Sequence, residues 1–173
     1  MKAGSKLKNG FVRALLTYYM YVLFKIIVLK FGPTDVAFLW KHLQQNMVHS
    51  EYIVVRLQAG NLIPLKEISR DFDVMSGHSL LNLLGNIALF VPFGMLLGAL
   101  AKAGKLAWAG AFWRSMTVSL GLESAQVLFS IGTFDVDDLI LNSVGGTFGF
   151  LVYRVGSWLT TPASRVPSGK PAR

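Results

Sequence analysis

The chain has no cysteine among its 173 residues. That excludes disulfide frameworks, thiolate metal sites and cysteine nucleophiles, and says nothing of the compartment. Charge is also scarce. Asp, Glu, Lys and Arg make up 15% of the chain, where a soluble domain carries about 25%. Acids are the scarcer sign, nine against seventeen basic residues. The three histidines, His42, His49 and His78, are scattered and offer no metal-ligand pair. No serine stands in a nucleophile elbow, and no glycine-rich phosphate loop is present.

What is abundant is apolar surface: 53% of residues are hydrophobic and mean hydropathy is +0.48. Four runs of about 20 residues, at 11–30, 80–100, 111–131 and 139–159, each suit a helix crossing roughly 30 Å of hydrocarbon. They lack the alternation of a membrane barrel and are too few to close one. These features predict an all-α integral membrane protein, a four-transmembrane-helix bundle with a long outer loop between helices 1 and 2. Residues 1–10 form a basic N-terminal segment, 11–159 the membrane domain, and 160–173 a basic, disordered tail rich in Pro and Ser. Within the outer segment, VAFLWKHLQQ reads as a short amphipathic helix. Asn61-Leu62-Ile63-Pro64 reads as an extended or turning strip, because the residue before proline avoids the helical basin.

A net charge of +8 beside such runs reflects membrane orientation rather than nucleic-acid binding. With the N-terminus inside, Lys2, Lys6, Lys8, Arg13, Lys102, Lys105, Arg114, Arg154, Arg165, Lys170 and Arg173 all lie inside. The connection between spans three and four holds no Lys or Arg. Both termini are therefore expected in the cytoplasm. Asp35, Glu51, Glu67, Asp71, Asp73, Asp135, Asp137 and Asp138 fall in outer segments, and Glu123 in the outer half of span three.

The polar residues within the spans recur at helical spacing. Ser115, Ser119, Glu123, Gln126 and Ser130 form one stripe of span three. Asp138, Asn142, Gly145 and Gly149 line span four, and Asn82, Gly85 and Asn86 share a face of span two. Glu123 lies about 12 Å from the outer end of its span at 1.5 Å per residue. The other polar groups begin their spans from the same side. They are expected to share a pocket opening outward, where a buried acid marks a site more often than a structural contact. Asp138 suits the N-cap of span four. Gly94 and Gly98, like Gly145 and Gly149, have the spacing that lets helix backbones approach, and Pro92 interrupts span two.

AGNLIPLKEI, NLLGNIALFVPFGMLLG, LESAQ and GTFDVDDLILNSVGGTFGF resemble the motifs of the VanZ-like family of bacterial membrane proteins, over roughly residues 11 to 157. The resemblance carries Asn61, Pro64, Asn82, Asn86, Phe90, Pro92, Gly94, Glu123, Gln126, Asp135, Asp138, Asn142 and Gly145 onto the family's motif positions. Two positions depart from it. Leu65 stands where many members have Phe, and Gly132-Thr133-Phe134 where many have an arginine. The family takes its name from a protein that raises resistance to the glycopeptide teicoplanin.

The resemblance implies a multi-pass protein of the bacterial cytoplasmic membrane, an accessory factor of the cell envelope without a cofactor. Asn61, Asn82, Asn86, Glu123, Gln126, Asp135, Asp138 and Asn142 are the expected binding residues. The expected partners are the lipid bilayer and a lipid-linked cell-wall precursor or lipoglycopeptide, not nucleic acid. Two alternatives stand beside this. One is an intramembrane hydrolase or transferase acting on a lipid phosphate, with Glu123 as base and a metal on Asp135 and Asp138. The other is a small transporter or helper subunit.

Overall fold

The computed structural model describes the backbone of residues 2–29, 35–101 and 107–160, with side chains from Lys6 onward. Among these residues the chain is helical and holds no strand. In order the helices are α1 (Lys2–Leu23), continued by a π-helical stretch Phe24–Val28, then α2 (Val36–Val48), α3 (Glu51–Gln58), α4 (Lys66–Val74), α5 (Gly77–Leu100), α6 (Ala107–Leu128) and α7 (Val136–Leu159). Beyond Thr160 the expected disordered tail lies outside the described residues, as do Lys102 and Lys105.

Three helical segments are long and apolar enough to cross a membrane: Lys6–Val28, α5 and α7. α6 has comparable length, 22 residues. Its hydropathy is diluted by Arg114, Ser115, Thr117, Ser119, Glu123, Ser124 and Gln126. Most of that polarity is turned inward: Ser115, Ser119, Glu123 and Gln126 are buried. The fourth span expected from sequence is thus a helix packed against α7 whose own composition does not mark it as a span.

α7 is the centre of the fold, with α5 on one side and α6 on the other. Its glycines set the spacing. A Cβ on Gly145 would fall 2.2 Å from the Ile87 carbonyl oxygen, and one on Gly149 2.0 Å from that of Val91. From the α5 side, a Cβ on Gly94 would fall 1.9 Å from the Gly146 carbonyl oxygen. The two backbones touch, which is how helices gain packing contact where lipid removes the hydrophobic drive to associate. Gly146 faces the other neighbour, its missing Cβ position 1.9 Å from Ser115 Oγ on α6.

α1 packs on this core through one stripe. Leu16, Tyr19, Met20, Leu23 and Ile27 meet Phe90 and Phe93 of α5 and Leu122 of α6. Pro92 lies inside α5 without ending it. Since proline lacks an N–H, that turn of α5 is short of a donor. The carbonyl left without its helical partner is that of Ala88; Tyr19 Oη donates to the next one, of Leu89, at 2.8 Å.

The segment expected as a long loop carries three short helices. α2 covers the predicted amphipathic stretch, and Asp35 caps it by accepting from the Phe38 N–H at 3.1 Å. Asn46 fastens α2 to the end of α6. Its Nδ2 donates to the Leu128 carbonyl at 2.7 Å and to Ser130 Oγ at 2.9 Å. α4 has no cap from its own neighbours. Its cap comes from α7.

Candidate functional site

The site begins where the strip before α4 meets the chain entering α7. Asn61 and Asp135 form an isolated parallel β-bridge. The Asn61 N–H donates to the Phe134 carbonyl at 2.8 Å, and the Val136 N–H donates to the Asn61 carbonyl at 2.9 Å. Gly60 allows this approach, because a Cβ there would lie 2.1 Å from the Phe134 oxygen. Asn61 Nδ2 also donates to Asp135 Oδ1 at 3.0 Å, and its own Oδ1 accepts from the Ile63 N–H at 3.2 Å. One carboxamide thus shapes its own turn and grips the other segment.

Asp135 Oδ1 accepts in addition from the Asp137 N–H, at 2.8 Å. Asp135 is therefore the N-cap of α7. This corrects the expectation for Asp138, which sits inside the first turn. The DVDD sequence offers several acids for one cap; the bridge to Asn61 decides among them by fixing where the chain turns. Behind the cap, Glu123 is 1% exposed and its Oε2 accepts from the Asp135 N–H at 3.1 Å. The acid of α6 thus supports the entry to α7 from beneath.

Asp137, also 1% exposed, reaches the other way. Its Oδ1 accepts from the Leu65 N–H at 2.5 Å, and its Oδ2 from the Glu67 and Ile68 N–H groups at 2.7 and 3.1 Å. These are donors that a helix start leaves without partners, and an anion is favoured there. The cap is needed locally, since Leu65 enters α4 at φ 66°, a conformation costing roughly 1–2 kcal/mol for an L-residue with a side chain. Asp137 is expected from sequence only as part of the acidic turn before span four, not among the binding residues. Its partners lie about 70 positions earlier, so no local spacing could reveal it.

Beside this support lies a second, more open group. Asn86 Nδ2 donates to Asp138 Oδ1 at 2.5 Å, joining α5 to α7. Asn82, one turn earlier on α5, donates to Asp71 Oδ2 of α4 at 3.3 Å. Arg70 pairs with Glu67 on the same short helix. Asn82 is exposed, and Asn86 and Asp138 are half-buried. The same segments carry exposed apolar side chains: Leu62, Ile63 and Leu65 before α4, Phe72 on α4, and Leu81 and Leu84 on α5.

The two remaining expected residues are placed apart from these groups. Gln126 Nε2 donates to the Ile27 carbonyl at 2.7 Å, tying α6 to the π-helical end of α1. Asn142 lies in the α6–α7 interface, where its Nδ2 donates to Ser119 Oγ at 2.8 Å. Asn142 Oδ1 is buried with no hydrogen-bond partner among the described residues, a cost of about 1–3 kcal/mol. The eight expected residues therefore divide. Asn61, Asp135 and Glu123 form one connected unit, and Asn86 and Asp138 another. Asn82, Gln126 and Asn142 each bond elsewhere.

Chemically, the carboxylates that would serve as metal ligands are engaged by backbone and amide donors. Among the described residues, no three His, Asp or Glu side chains are arranged to hold a metal ion. What the arrangement offers outward is two carboxamides, Asn82 and Asn86, and the Asp138 carboxylate, at one end of the helices.

A family model described as VanZ/LLP1 matches residues 15–158. Among curated proteins, Protein VanZ of Enterococcus faecium is 35% identical over 71 residues, which is 41% of this chain and 43% of that protein. The chain thus matches under half the length of that relative. No solved structure matches. With the three apolar helices, the family match marks a membrane protein.

Proposed function

The chain belongs to the VanZ/LLP1 family, and from that premise we propose that it is a multi-pass accessory factor of the bacterial cell envelope, linked to glycopeptide (teicoplanin) resistance. Its polar recess faces outward and binds an amphiphile, either a lipid-linked cell-wall precursor or a lipoglycopeptide. Four membrane-spanning helices, α1, α5, α6 and α7, carry the recess. Both termini lie in the cytoplasm, a topology the Lys and Arg distribution supports.

The observation that carries this reading is the juxtaposition at the α5–α7 mouth. Asn82 and Asn86 of α5 bond buried Asp71 of α4 and half-buried Asp138 of α7, and the adjoining segments carry exposed Leu62, Ile63, Leu81 and Leu84. An amphiphile needs both kinds of surface within one headgroup's reach, and polar groups with residual exposure are the ones a ligand can touch. Buried Asn61, Glu123, Gln126 and Asn142, with half-buried Asp135, hold those residues in place. The further expected contacts of these five with ligand rest on the same reading.

The hydrolase alternative has less support. It needs Asp135 free for a metal, whereas its carboxylate is engaged by Asn61 and the Asp137 N–H. The helper-subunit reading is favoured by no particular observation.

The test is genetic. A strain lacking the gene is rescued with wild type, Asn82→Ala or Asp138→Asn, and teicoplanin susceptibility is measured at matched protein levels in the membrane. The reading expects wild type to protect and both variants to protect less. Equal protection by all three would remove the recess from the account.

A further inference from the structure

A cavity of about 480 Å³ lies between α2, α3 and the turn joining α6 to α7. It is separate from the recess at Asn82, Asn86 and Asp138, on different helices. Four of its walls are His42 and Gln45 of α2 and Tyr52 and Arg56 of α3, with Thr133 closing one side. A cavity of that size suits a small ligand or one headgroup.

Its chemistry is of one sign. Arg56 is half-buried at the wall and makes no ion pair among the described residues. None of the described lining residues is acidic. Among the acids of the outer segments, Asp35 caps α2, Glu51 pairs with His49, and Asp71, Asp135, Asp137 and Asp138 make the bonds given above. Asn46 and Ser130 at the cavity's base already satisfy one another and the Leu128 carbonyl. What remains unspent is a guanidinium, whose planar fork matches an oxyanion, with a phenol, a carboxamide and a hydroxyl close by.

The surroundings identify the source of the anion. α2 exposes Val36, Phe38, Trp40, Met47 and Val48, and α3 exposes Val54 and Val55. Amphipathic helices that expose apolar side chains of this kind lie in the membrane interface rather than in water. A ligand reaching Arg56 therefore comes from the lipid surface, and its apolar part can lie along Val55 and Ala59.

We propose that this cavity binds the phosphate of an anionic phospholipid headgroup, with Arg56 as its counter-ion. The lipid fastens α2 and α3 to the turn before α7, next to the Asn61–Asp135 bridge. This claim stands or falls independently of ligand binding at the recess.

The experiment titrates dihexanoyl phosphatidylglycerol into the detergent-solubilised full chain and reads a binding isotherm. Saturable binding is expected, about tenfold weaker for Arg56→Gln and weakened less by Arg56→Lys, which keeps the charge but not the fork. Ala59→Trp, which fills the cavity from an exposed position, should abolish it while the melting temperature holds. That second variant decides the matter even should Arg56→Gln fail to fold. Unchanged affinity in Ala59→Trp would overturn the site. Equal binding of dihexanoyl phosphatidylcholine would overturn recognition by net charge. Full displacement by millimolar inorganic phosphate would overturn the lipid as the source.

Discussion

Replacing Asp137 should detach α4. The carboxylate accepts three backbone N–H groups, two of them at 2.5 and 2.7 Å and one longer at 3.1 Å. A hydrogen bond to a charged group is worth about 1.5–3 kcal/mol net. Leu65 is exposed and Glu67 and Ile68 are half-buried, so water can reach the freed donors and the lower figure applies. Counting only the two short bonds, Asp137→Ala costs about 3 kcal/mol, more than a hundredfold in the equilibrium that seats α4. For a chain of this size that is a fall of about 6–12 °C in melting temperature. Asp137→Asn keeps one acceptor oxygen and can serve either Leu65 or the Glu67–Ile68 pair, but not both, so about half the loss is expected. The assay is thermal unfolding in detergent, paired with backbone hydrogen exchange over residues 63–68. Exchange should quicken there in Asp137→Ala and leave α5 unaffected. A variant that melts within a degree or two of wild type, with unchanged exchange at residues 63–68, would refute the assignment of Asp137 as the cap of α4.

Other changes should separate along the same lines. Gly145→Ala places a methyl 2.2 Å from the Ile87 carbonyl oxygen; backbone cannot rotate away, so a loss of about 1–3 kcal/mol or more is expected in thermal unfolding. Gly85→Ala has nothing within 4 Å of the new methyl and should be neutral or stabilising by up to about 1 kcal/mol. Asn46→Ala leaves the Leu128 carbonyl without its donor and should cost about 1–3 kcal/mol, read as faster exchange in α2 and a lower melting temperature. Glu123→Gln keeps an oxygen for the Asp135 N–H and should melt higher than Glu123→Leu, which leaves that buried donor without a partner.

Much of the fold could be read in the sequence because it rests on local runs. The apolar stretches gave α5 and α7, and VAFLWKHLQQ gave α2, since composition and helical spacing act over a few turns. The Gly145 and Gly149 spacing also pointed to a true close approach, although sequence could not say that α5 is the partner. α6 was harder: its stripe of Ser115, Ser119, Glu123 and Gln126 was legible, yet only packing on α7 shows it turned inward. What escaped were features whose two halves lie far apart in the chain. α4 is a polar nine-residue helix with a left-handed entry and a cap supplied by Asp137, so nothing near it announces its start. Asn46 looks like an unremarkable polar residue of α2 until Leu128 and Ser130 are placed beside it. Choosing the N-cap of α7 within DVDD was of the same kind, because the Asn61 bridge settles it from about 70 residues away.

The central claim is that the recess at Asn82, Asn86 and Asp138 opens to the outside of the cell. The natural absence of cysteine makes this directly measurable with single Asn82→Cys and Thr160→Cys chains, both positions being exposed. In intact cells a membrane-impermeant thiol reagent should label Asn82→Cys at once and Thr160→Cys only after permeabilisation. Labelling of Thr160→Cys from outside, with Asn82→Cys protected until the membrane is opened, would contradict the account.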